Sequence, residues 1–280
     1  MPSSPFLAAC RDYISTSVTD REFRLIRAAW KIEYALGWNY AVTQAVSDVP
    51  IRRGFVLLQC AGFGSSHHET DAAACLRTDC IGRDVLSLDE FPIEYQIAAL
   101  DAAAAAVLPC ADETILLKGN LTEKHSIRTS LLVREALAAL KNKSGGLLSV
   151  AVVGALSSLA GAFSREANVK LRMTDADPAV IGRNYHGCVV LASNVTPAIV
   201  RESDVALVTG MALPTDTIDS IFQAAREGNT RLVFFLQSGA NLAVPYLSAG
   251  AAAVISEPYP FYFMAPGESL IRVYRSAASL

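Results

Sequence analysis

A glycine and two serines stand where a buried strand is predicted to pass into a helix, in the segment LLSVAVVGALSSLAG at residues 147–161. Gly154 suits a tight turn, and Ser157 and Ser158 fall in the first helical turn, where free backbone N–H groups and the helix dipole favour a polar cofactor edge. The loop lacks the further glycines of G-x-G-x-x-G, which disfavours a pyrophosphate. We therefore expect a cofactor without a diphosphate.

Two aspartates follow the next predicted strand, in MTDADP, about twenty residues after the glycine turn. A carboxylate at that position accepts hydrogen bonds from ribose hydroxyls, so Asp175 or Asp177 is expected to bind a nucleoside. S-adenosylmethionine, a nucleoside cofactor without a diphosphate, fits both observations. The alternative is that one of these aspartates only caps the next short helix.

Polar residues also stand at the predicted carboxyl ends of the remaining strands: Asn194, Thr209, Gly210 and Ser238. These ends meet at one edge of an open α/β sheet, so we expect the four residues to contact the cofactor. Asn194 is also a candidate catalytic residue. Tyr185 is a second, because a tyrosine face stabilises a sulfonium by cation–π attraction; its alternative role is packing.

The segment HHETDAAACLRTDC at residues 67–80 has the composition of a metal site. A row of ligands along one helix cannot surround an ion, and the five-residue spacing of Cys75 and Cys80 matches no common zinc site. The preceding AGFGSS is typical of a loop leaving a hairpin. We predict no metal site here, with His67 and His68 as weak candidates that border a cleft.

Several classes of protein are disfavoured. GxSxG and Walker A motifs are absent, and a net charge of −3 without a basic cluster argues against a nucleic-acid binder. The apolar run at 147–163 is shorter than the ~20 residues of a membrane span. Six scattered cysteines without a CxxC pair, and no apparent secretory signal, favour a cytoplasmic protein with reduced thiols.

The second half of the chain, residues 146–280, alternates short apolar runs with helix-compatible connections. This pattern predicts a doubly wound, Rossmann-like parallel sheet. Residues 1–145 are predicted to form a smaller α+β domain of helices and a β-hairpin. Its elements are a helix over 21–36, hairpin strands at 38–46 and 52–60, and helices over 92–108 and 126–140.

Four segments resemble a known family: RDVLSLDEFPIEYQIAALDAAAAA (83–106), LLSVAVVG (147–154), ESDVALVTGMALPTDTIDSIF (202–222) and RLVFFLQSGANLAVPYLSAGAAAVIS (231–256). From about residue 38 to 256 the chain is similar to the bacterial and archaeal heavy-metal chelation proteins, which join an enolase-N-terminal-like domain to a Rossmann-like domain. The resemblance implies an interdomain cleft and a role near metals or metal-binding small molecules.

The chain departs from the family pattern at two places. Thr215 and Asp216 stand where Asn-Gly is usual after the fourth strand, and Asp101 replaces an asparagine near the end of the alanine-rich helix. These changes fall at the expected cleft, so they bear on which ligand binds there.

We expect an enzyme that binds S-adenosylmethionine and transfers or cyclises a methyl or aminocarboxypropyl group, in metal-chelator or specialised-metabolite biosynthesis. The link to chelators is an analogy of fold with the enzymes that build nicotianamine-type compounds. The alternative is non-catalytic binding of a metal or metal chelate in the cleft, and a dinucleotide oxidoreductase is a third hypothesis. The expected partner is a small molecule, without nucleic acid or membrane, and the expected assembly is a homodimer.

Overall fold

The computed structural model describes residues 4–36, 51–68, 76–140, 146–265 and 267–277. The helices are α1 (Pro5–Ser17), α2 (Ile93–Ala104), α3 (Leu121–Ala138), α4 (Ser157–Phe163), α5 (Thr196–Arg201), α6 (Ile218–Gly228) and α7 (Ala243–Ser248). The strands are β1 (Ala28–Leu36), β2 (Ile51–Gln59), β3 (Phe63–His68), β4 (Glu113–Leu117), β5 (Leu148–Val153), β6 (Val169–Asp175), β7 (Asn184–Tyr185), β8 (Cys188–Ala192), β9 (Val205–Thr209), β10 (Arg231–Leu236), β11 (Ala253–Ser256) and β12 (Ser269–Arg275). Short 3₁₀ turns cover Arg21–Phe23, Thr78–Cys80, Val85–Ser87, Ala105–Val107, Ser193–Val195 and Gly210–Ala212.

Strands β1, β2 and β3 form a small antiparallel sheet in chain order. The prediction of a helix over 21–36 is wrong, because Ala28–Leu36 is a strand paired with β2 along its whole length. The apolar residues there satisfy a period of two as well as a helical period: Trp30 and Ile32 lie on one face of the strand. Pairing with a distant strand decided between the two periods.

The predicted hairpin is partly confirmed. Its second strand, predicted at 52–60, is β2, but the partner in the described chain is β1; residues 38–46 lie outside the described residues. The prediction of a loop at AGFGSS is also wrong, since Phe63–His68 is strand β3, paired antiparallel with β2. Its glycine serves packing: a Cβ on Gly64 would lie 2.1 Å from the backbone nitrogen of Ala102 in α2.

The alanine-rich helix α2 packs on this small sheet, as the sequence predicted for a helix over 92–108. Nine of its residues are buried, and most of them are alanines. Small side chains let the backbones of β3 and α2 approach closely.

The large sheet has nine strands in the order β4-β12-β11-β10-β9-β5-β6-β8-β7. Its six parallel strands, numbered by their order in the chain, lie in the spatial order 6-5-4-1-2-3. This is the Rossmann order, so the predicted α/β class with a Rossmann-like sheet is confirmed. The order reverses between β5 and β9, which is the topological switch point.

Helices cover both faces of the large sheet. Helices α3 and α4 bury one face, with Val152, Leu207 and Phe235 in its core. Helices α5, α6 and α7 bury the opposite face, together with α1, α2 and the small sheet. Phe6 of α1 stacks on Phe222 of α6 with ring centroids 5.4 Å apart, which ties the start of the chain to the Rossmann-like half.

Strand β4 and helix α3 precede residue 145 but pack with the large sheet. Strand β4 pairs antiparallel with β12, and Arg275 of β12 binds Glu113 of β4 at 2.7 Å and Glu135 of α3 at 2.8 Å. Sheet membership therefore does not follow the boundary near 145, and the division into domains stays a prediction. None of the described helices is long and apolar enough to cross a membrane.

Candidate functional site

A row of residues marks the carboxyl edge of the parallel strands on the face covered by α3 and α4. It contains Asp175, Gly154 and Thr209, which end or directly follow β6, β5 and β9, and Phe235, the next-to-last residue of β10. The ladders place Phe235 opposite Thr209, and the alternation of side chains puts all four on the same face as Val152. We call these four residues the edge row.

Gly154 lies at the centre of the edge row, at the switch point. Its φ of +92° is a conformation that side-chain-bearing residues rarely adopt, and a Cβ there would lie 2.4 Å from Oγ1 of Thr209. The backbone N–H of Gly154 donates to the carbonyl of Thr174 at 2.9 Å, which extends the pairing of β5 and β6 into the turn. The predicted turn at Gly154 therefore depends on the absence of a side chain.

Asp175 holds the loop that leaves β5. Its Oδ2 accepts the backbone N–H of Ala155 at 2.6 Å, and its Oδ1 accepts that of Asp177 at 2.8 Å. Asp177 in turn accepts the N–H of Ala179 at 2.8 Å, so it caps the following turn. Both predicted aspartates thus have local structural roles, and their binding of a nucleoside stays a prediction. A carboxylate has about four acceptor positions, so Asp175 can also accept ligand hydroxyls.

The serines of the predicted loop lie at the start of α4. Ser157 and Ser158 are half-buried, as are Ala155 and Leu156 before them, and this run directly follows Gly154 of the edge row. Leu156 stands where a dinucleotide loop has its second glycine, and its Cβ occupies the space through which a diphosphate would approach the backbone.

The two catalytic candidates lie towards one side of the sheet. Tyr185 is half-buried and packs at the margin of the core under α4, and Asn194 is exposed in the turn after β8. Three strand spacings of ~4.8 Å separate the strand of Asn194 from that of Thr209, or about 14 Å. The structure therefore does not bring Asn194 together with Thr209 and Ser238 around one reacting centre.

Strand β3 of the small sheet is joined to the loop after β10. The hydroxyl of Ser65 donates to the carbonyl of Gln237 at 2.8 Å, and the N–H of Gly239 donates to the carbonyl of Ser65 at 3.0 Å. Gly210 approaches the same loop, since a Cβ there would lie 2.9 Å from the carbonyl oxygen of Ser238. The predicted binding residues Gly210 and Ser238 thus contact each other where the small sheet meets the large one.

Ser238 and His67 form a buried pair within this junction. Oγ of Ser238 accepts the backbone N–H of His67 at 2.9 Å and lies 2.9 Å from its Nδ1. The imidazole is stacked on Phe261, with ring centroids 5.9 Å apart and planes inclined by 16°. His67 is therefore part of a packed and hydrogen-bonded unit at the junction, and its place beside a ligand cleft stays a prediction.

Asp101 is the fully buried acid of the same junction. Its Oδ2 accepts the N–H of Ser65 at 2.8 Å and its Oδ1 accepts the N–H of Asn241 at 2.6 Å. Burial raises the pKa of Asp101 to about 7, against the opposing effect of these N–H donors. Asp101, one of the residues at which the chain departs from the family pattern, thus links α2, β3 and the loop after β10.

Arg128 of α3 and Glu257, which directly follows β11, form a second buried polar cluster that sequence reasoning missed. Arg128 Nη1 lies 3.7 Å from Glu257 Oε2, and the two side chains are 7% and 0% exposed. Glu257 also accepts Gln237 Nε2 at 3.0 Å and the N–H of Tyr262 at 2.7 Å. Burial raises the pKa of Glu257, while Arg128 lowers it. The signal available in the sequence was Glu257 itself, an acidic residue directly after the apolar run AAAVIS.

Among the described residues, no group of three or more His, Cys, Asp or Glu side chains is arranged to hold a metal ion. His67 contacts Ser238, as above. The side chain of His68 and residues 69–75 lie outside the described part of the chain. The weak metal candidates therefore stay predictions.

The fold and the edge row define a Rossmann-like α/β protein with a small antiparallel sheet packed beside its carboxyl edge. Residues 140–234 match the family model DUF364, described as "Putative heavy-metal chelation". The resemblance inferred from the sequence is confirmed over those residues.

Two crystal structures of DUF364 proteins of unknown function have the same fold. The protein from Desulfitobacterium hafniense is 10% identical, with a TM-score of 0.56, and the match covers 97% of this chain and 100% of that one. The protein from Pyrococcus horikoshii is 11% identical, with a TM-score of 0.57, and the match covers 96% and 99% of the two chains. No curated protein matches this chain.

Proposed function

We propose that the protein binds S-adenosylmethionine in the crevice along the edge row and transfers or cyclises a methyl or aminocarboxypropyl group. The observation that carries this proposal is the hydrogen bond of 2.6 Å from Ala155, directly after the positive-φ Gly154, to Asp175, beside the point where the strand order reverses. In open α/β sheets, ligands bind outside the carboxyl ends of the strands at such a switch point.

The polar side chains near Gly154 suit a nucleoside without a diphosphate. Asp175 is half-buried and keeps acceptor capacity for ribose hydroxyls, and Leu156 obstructs the approach that a diphosphate needs. Ser157 and Ser158 offer hydroxyls beside this position. The crevice thus favours an adenosyl group over a dinucleotide.

Bound S-adenosylmethionine supplies a sulfonium whose adjacent carbon accepts a nucleophile while the C–S bond breaks and a neutral thioether leaves. Such a displacement requires alignment of the nucleophile with that bond more than strong acid–base assistance. The contribution of the chain is to fix the nucleoside at Asp175 and to exclude water at the junction with the small sheet. We further propose that the protein acts in the cytoplasm as a homodimer; the described cysteines are all free thiols, which suits a reducing compartment.

Isothermal titration with S-adenosylmethionine tests the proposal. We expect micromolar binding by the wild-type protein and an affinity about tenfold or more lower in Asp175→Asn, which loses a charged acceptor. Asp20→Asn is the matched control, because its side chain caps the turn at Arg21–Phe23, outside the edge row, by accepting the N–H of Glu22. Thermal unfolding of both variants shows whether the loss reflects binding or folding.

Parallel titrations with NAD, Zn(II), Ni(II) and Cu(II) address the other hypotheses. Tight binding of a metal ion without heat from S-adenosylmethionine would overturn the proposal in favour of metal or metal-chelate binding in the cleft. Tight binding of NAD would instead favour an oxidoreductase.

A further inference from the structure

Arg128 has few partners for a buried arginine. It is the only arginine among the described residues that is buried, yet its Nε has no hydrogen-bond partner there and its ion pair with Glu257 spans 3.7 Å. Arg275, which is more exposed, makes three hydrogen bonds of 2.7–2.8 Å to two glutamates. A guanidinium carries five N–H donors, so Arg128 keeps donor capacity beyond its contact with Glu257.

Aromatic rings hold the guanidinium of Arg128 in place. Its Cζ lies 4.5 Å from the ring centroid of Tyr262 and 5.0 Å from that of Phe235. These contacts stabilise a cation and fix its plane, but they satisfy none of its N–H groups. Removing a charge from water costs several kcal/mol, which a single long ion pair does not offset well.

The cluster adjoins the edge row. Phe235, over which Arg128 lies, is opposite Thr209 in the ladder, and Thr209 contacts Gly154. Three strand spacings of ~4.8 Å separate Asp175 from Phe235, or about 14 Å along the same face. A molecule lying along this edge can therefore meet Asp175 at one end and Arg128 at the other.

We propose that Arg128 and Glu257 bind the zwitterionic end of an α-amino acid, with its carboxylate on the guanidinium of Arg128 and its ammonium on the carboxylate of Glu257. The charges favour a zwitterion, because a lone anion would leave the buried cluster with a net charge whereas a zwitterion keeps it neutral. Glu257 uses Oε1 for Tyr262 and Oε2 for Gln237 and Arg128, so an acceptor position on Oε1 remains. The inference extends the proposed function, since S-adenosylmethionine carries such an end; a free amino acid is the other source of the same chemistry.

Three probes separate the two ends of the site in isothermal titrations. S-adenosylmethionine has both the nucleoside and the amino acid, 5′-methylthioadenosine has only the nucleoside, and L-methionine has only the amino acid. The test variant is Arg128→Met/Glu257→Gln, which removes both charges with similar side-chain volumes, a change that proteins often tolerate. The matched control is Arg201→Met/Glu227→Gln, which removes the exposed ion pair between α5 and α6.

We expect the test variant to lose about 30-fold or more in affinity for S-adenosylmethionine, as expected for charge-assisted hydrogen bonds. Its affinity for 5′-methylthioadenosine should remain that of the wild type. The control variant should bind S-adenosylmethionine and 5′-methylthioadenosine as tightly as the wild type does. If the test variant binds S-adenosylmethionine as tightly as the wild type does, the amino-acid site is overturned while the nucleoside site stands.

The remaining outcomes separate this site from the proposed function. If the wild type binds neither S-adenosylmethionine nor 5′-methylthioadenosine, the proposed function fails, and the titration with L-methionine tests the amino-acid site by itself. L-methionine binding that is lost in the test variant supports that site. No binding of L-methionine by the wild type overturns it. If the test variant does not fold, Arg128→Lys replaces it, because lysine keeps the charge but loses the planar fork. Unchanged affinity of that variant for S-adenosylmethionine would also overturn the site.

Discussion

The carboxylate of Asp175 accepts the backbone N–H of Ala155 across 2.6 Å, which ties the end of β6 to the loop that leaves β5. Ala155 follows β5 at the switch point of the sheet and Asp175 ends the adjacent strand β6, so the pair lies where a cofactor was predicted. A ribose would therefore share a carboxylate that already organises the loop. The same side chain is expected to affect both stability and binding.

Asp175→Ala is expected to lower the free energy of unfolding by about 2 kcal/mol, because two backbone N–H groups lose their acceptor. Asp177→Ala, which removes only a cap, should cost about 1 kcal/mol. Urea unfolding monitored by circular dichroism measures both losses. Equal losses in the two variants would contradict the organising role of Asp175.

Gly154→Ala is expected to destabilise the protein by about 3 kcal/mol, through its positive φ and through a clash with Thr209. Gly182→Ala is the control, because Gly182 has a φ of +80° but no atom within 4 Å of an added Cβ. That control should cost about 1 kcal/mol.

Removing the crowding atoms should rescue Gly154→Ala. The double variant Gly154→Ala/Thr209→Ala retains the strained φ but loses Oγ1 and Cγ2 of Thr209, which lie 2.4 and 2.8 Å from the added Cβ. We expect its two substitutions to cost less together than the sum of the single variants. Additive costs would show that the contact with Thr209 does not contribute.

His67 is expected to be the neutral tautomer with its proton on Nε2. Oγ of Ser238 accepts the backbone N–H of His67 and lies 2.9 Å from its Nδ1, so the hydroxyl hydrogen is placed to donate to Nδ1. Long-range ¹H–¹⁵N spectra report the tautomer directly. A proton on Nδ1 would contradict this assignment.

Ser238→Ala tests the same pair through stability. It leaves a buried N–H and a buried Nδ1 without their partner, which should cost about 2 to 3 kcal/mol in urea unfolding. Ser220→Ala is the control, since Ser220 is exposed and donates to the carbonyl of Thr217, the residue directly before α6. A loss no larger than that of the control would argue against the pair.

Asp101 should make stability depend on pH in a defined direction. Its pKa of about 7 in the folded protein exceeds the ordinary value of 3.8, so between these values the folded state holds a proton that the unfolded state has released. Stability from this group is present at low pH and falls as the pH rises to about 7, by up to ~1.4 kcal/mol per pH unit.

Urea unfolding of the wild type and Asp101→Asn at pH values from 4.5 to 7.5 measures this contribution. We expect the difference in unfolding free energy, wild type minus variant, to shrink as the pH rises, because the amide does not titrate. Titratable groups that both proteins share contribute equally to the two unfolding free energies, so the subtraction removes their effect. A difference that is constant with pH would show that Asp101 titrates below this range.

The parallel strands of the large sheet could be predicted because they are buried on both faces. Such strands appear as continuous apolar runs, and Val205–Thr209 and Arg231–Leu236 are of this kind. The small sheet was harder, because apolar residues of β1 fit two periods and Gly64 of β3 resembles a loop residue. In both places contacts with distant segments decided the structure, and local sequence does not report these contacts.

The edge row and the cluster of Arg128 and Glu257 also differ in how far the sequence predicted them. Gly154 and Asp175 could be predicted to be neighbours because the carboxyl ends of adjacent parallel strands meet at one edge. Arg128 lies on α3, where Lys124 and Glu135 are also buried. Charged residues on a helix predict a face towards solvent, so a helix that turns charges inward misleads a reading by hydrophobic pattern alone.

The close approach of β3 to α2 gives the last prediction, for Gly64→Ala. The added Cβ would lie 2.1 Å from the nitrogen of Ala102 and 2.2 Å from the carbonyl oxygen of Ala98, and these backbone atoms cannot move without breaking the helix. We expect a loss of about 3 kcal/mol or more, or failure to fold. Gly82→Ala is the control, because nothing lies within 4 Å of a Cβ there although its φ is +82°. Thermal unfolding compares the two; a variant at Gly64 as stable as the control would mean that the small sheet and the alanine-rich helix do not pack backbone against backbone.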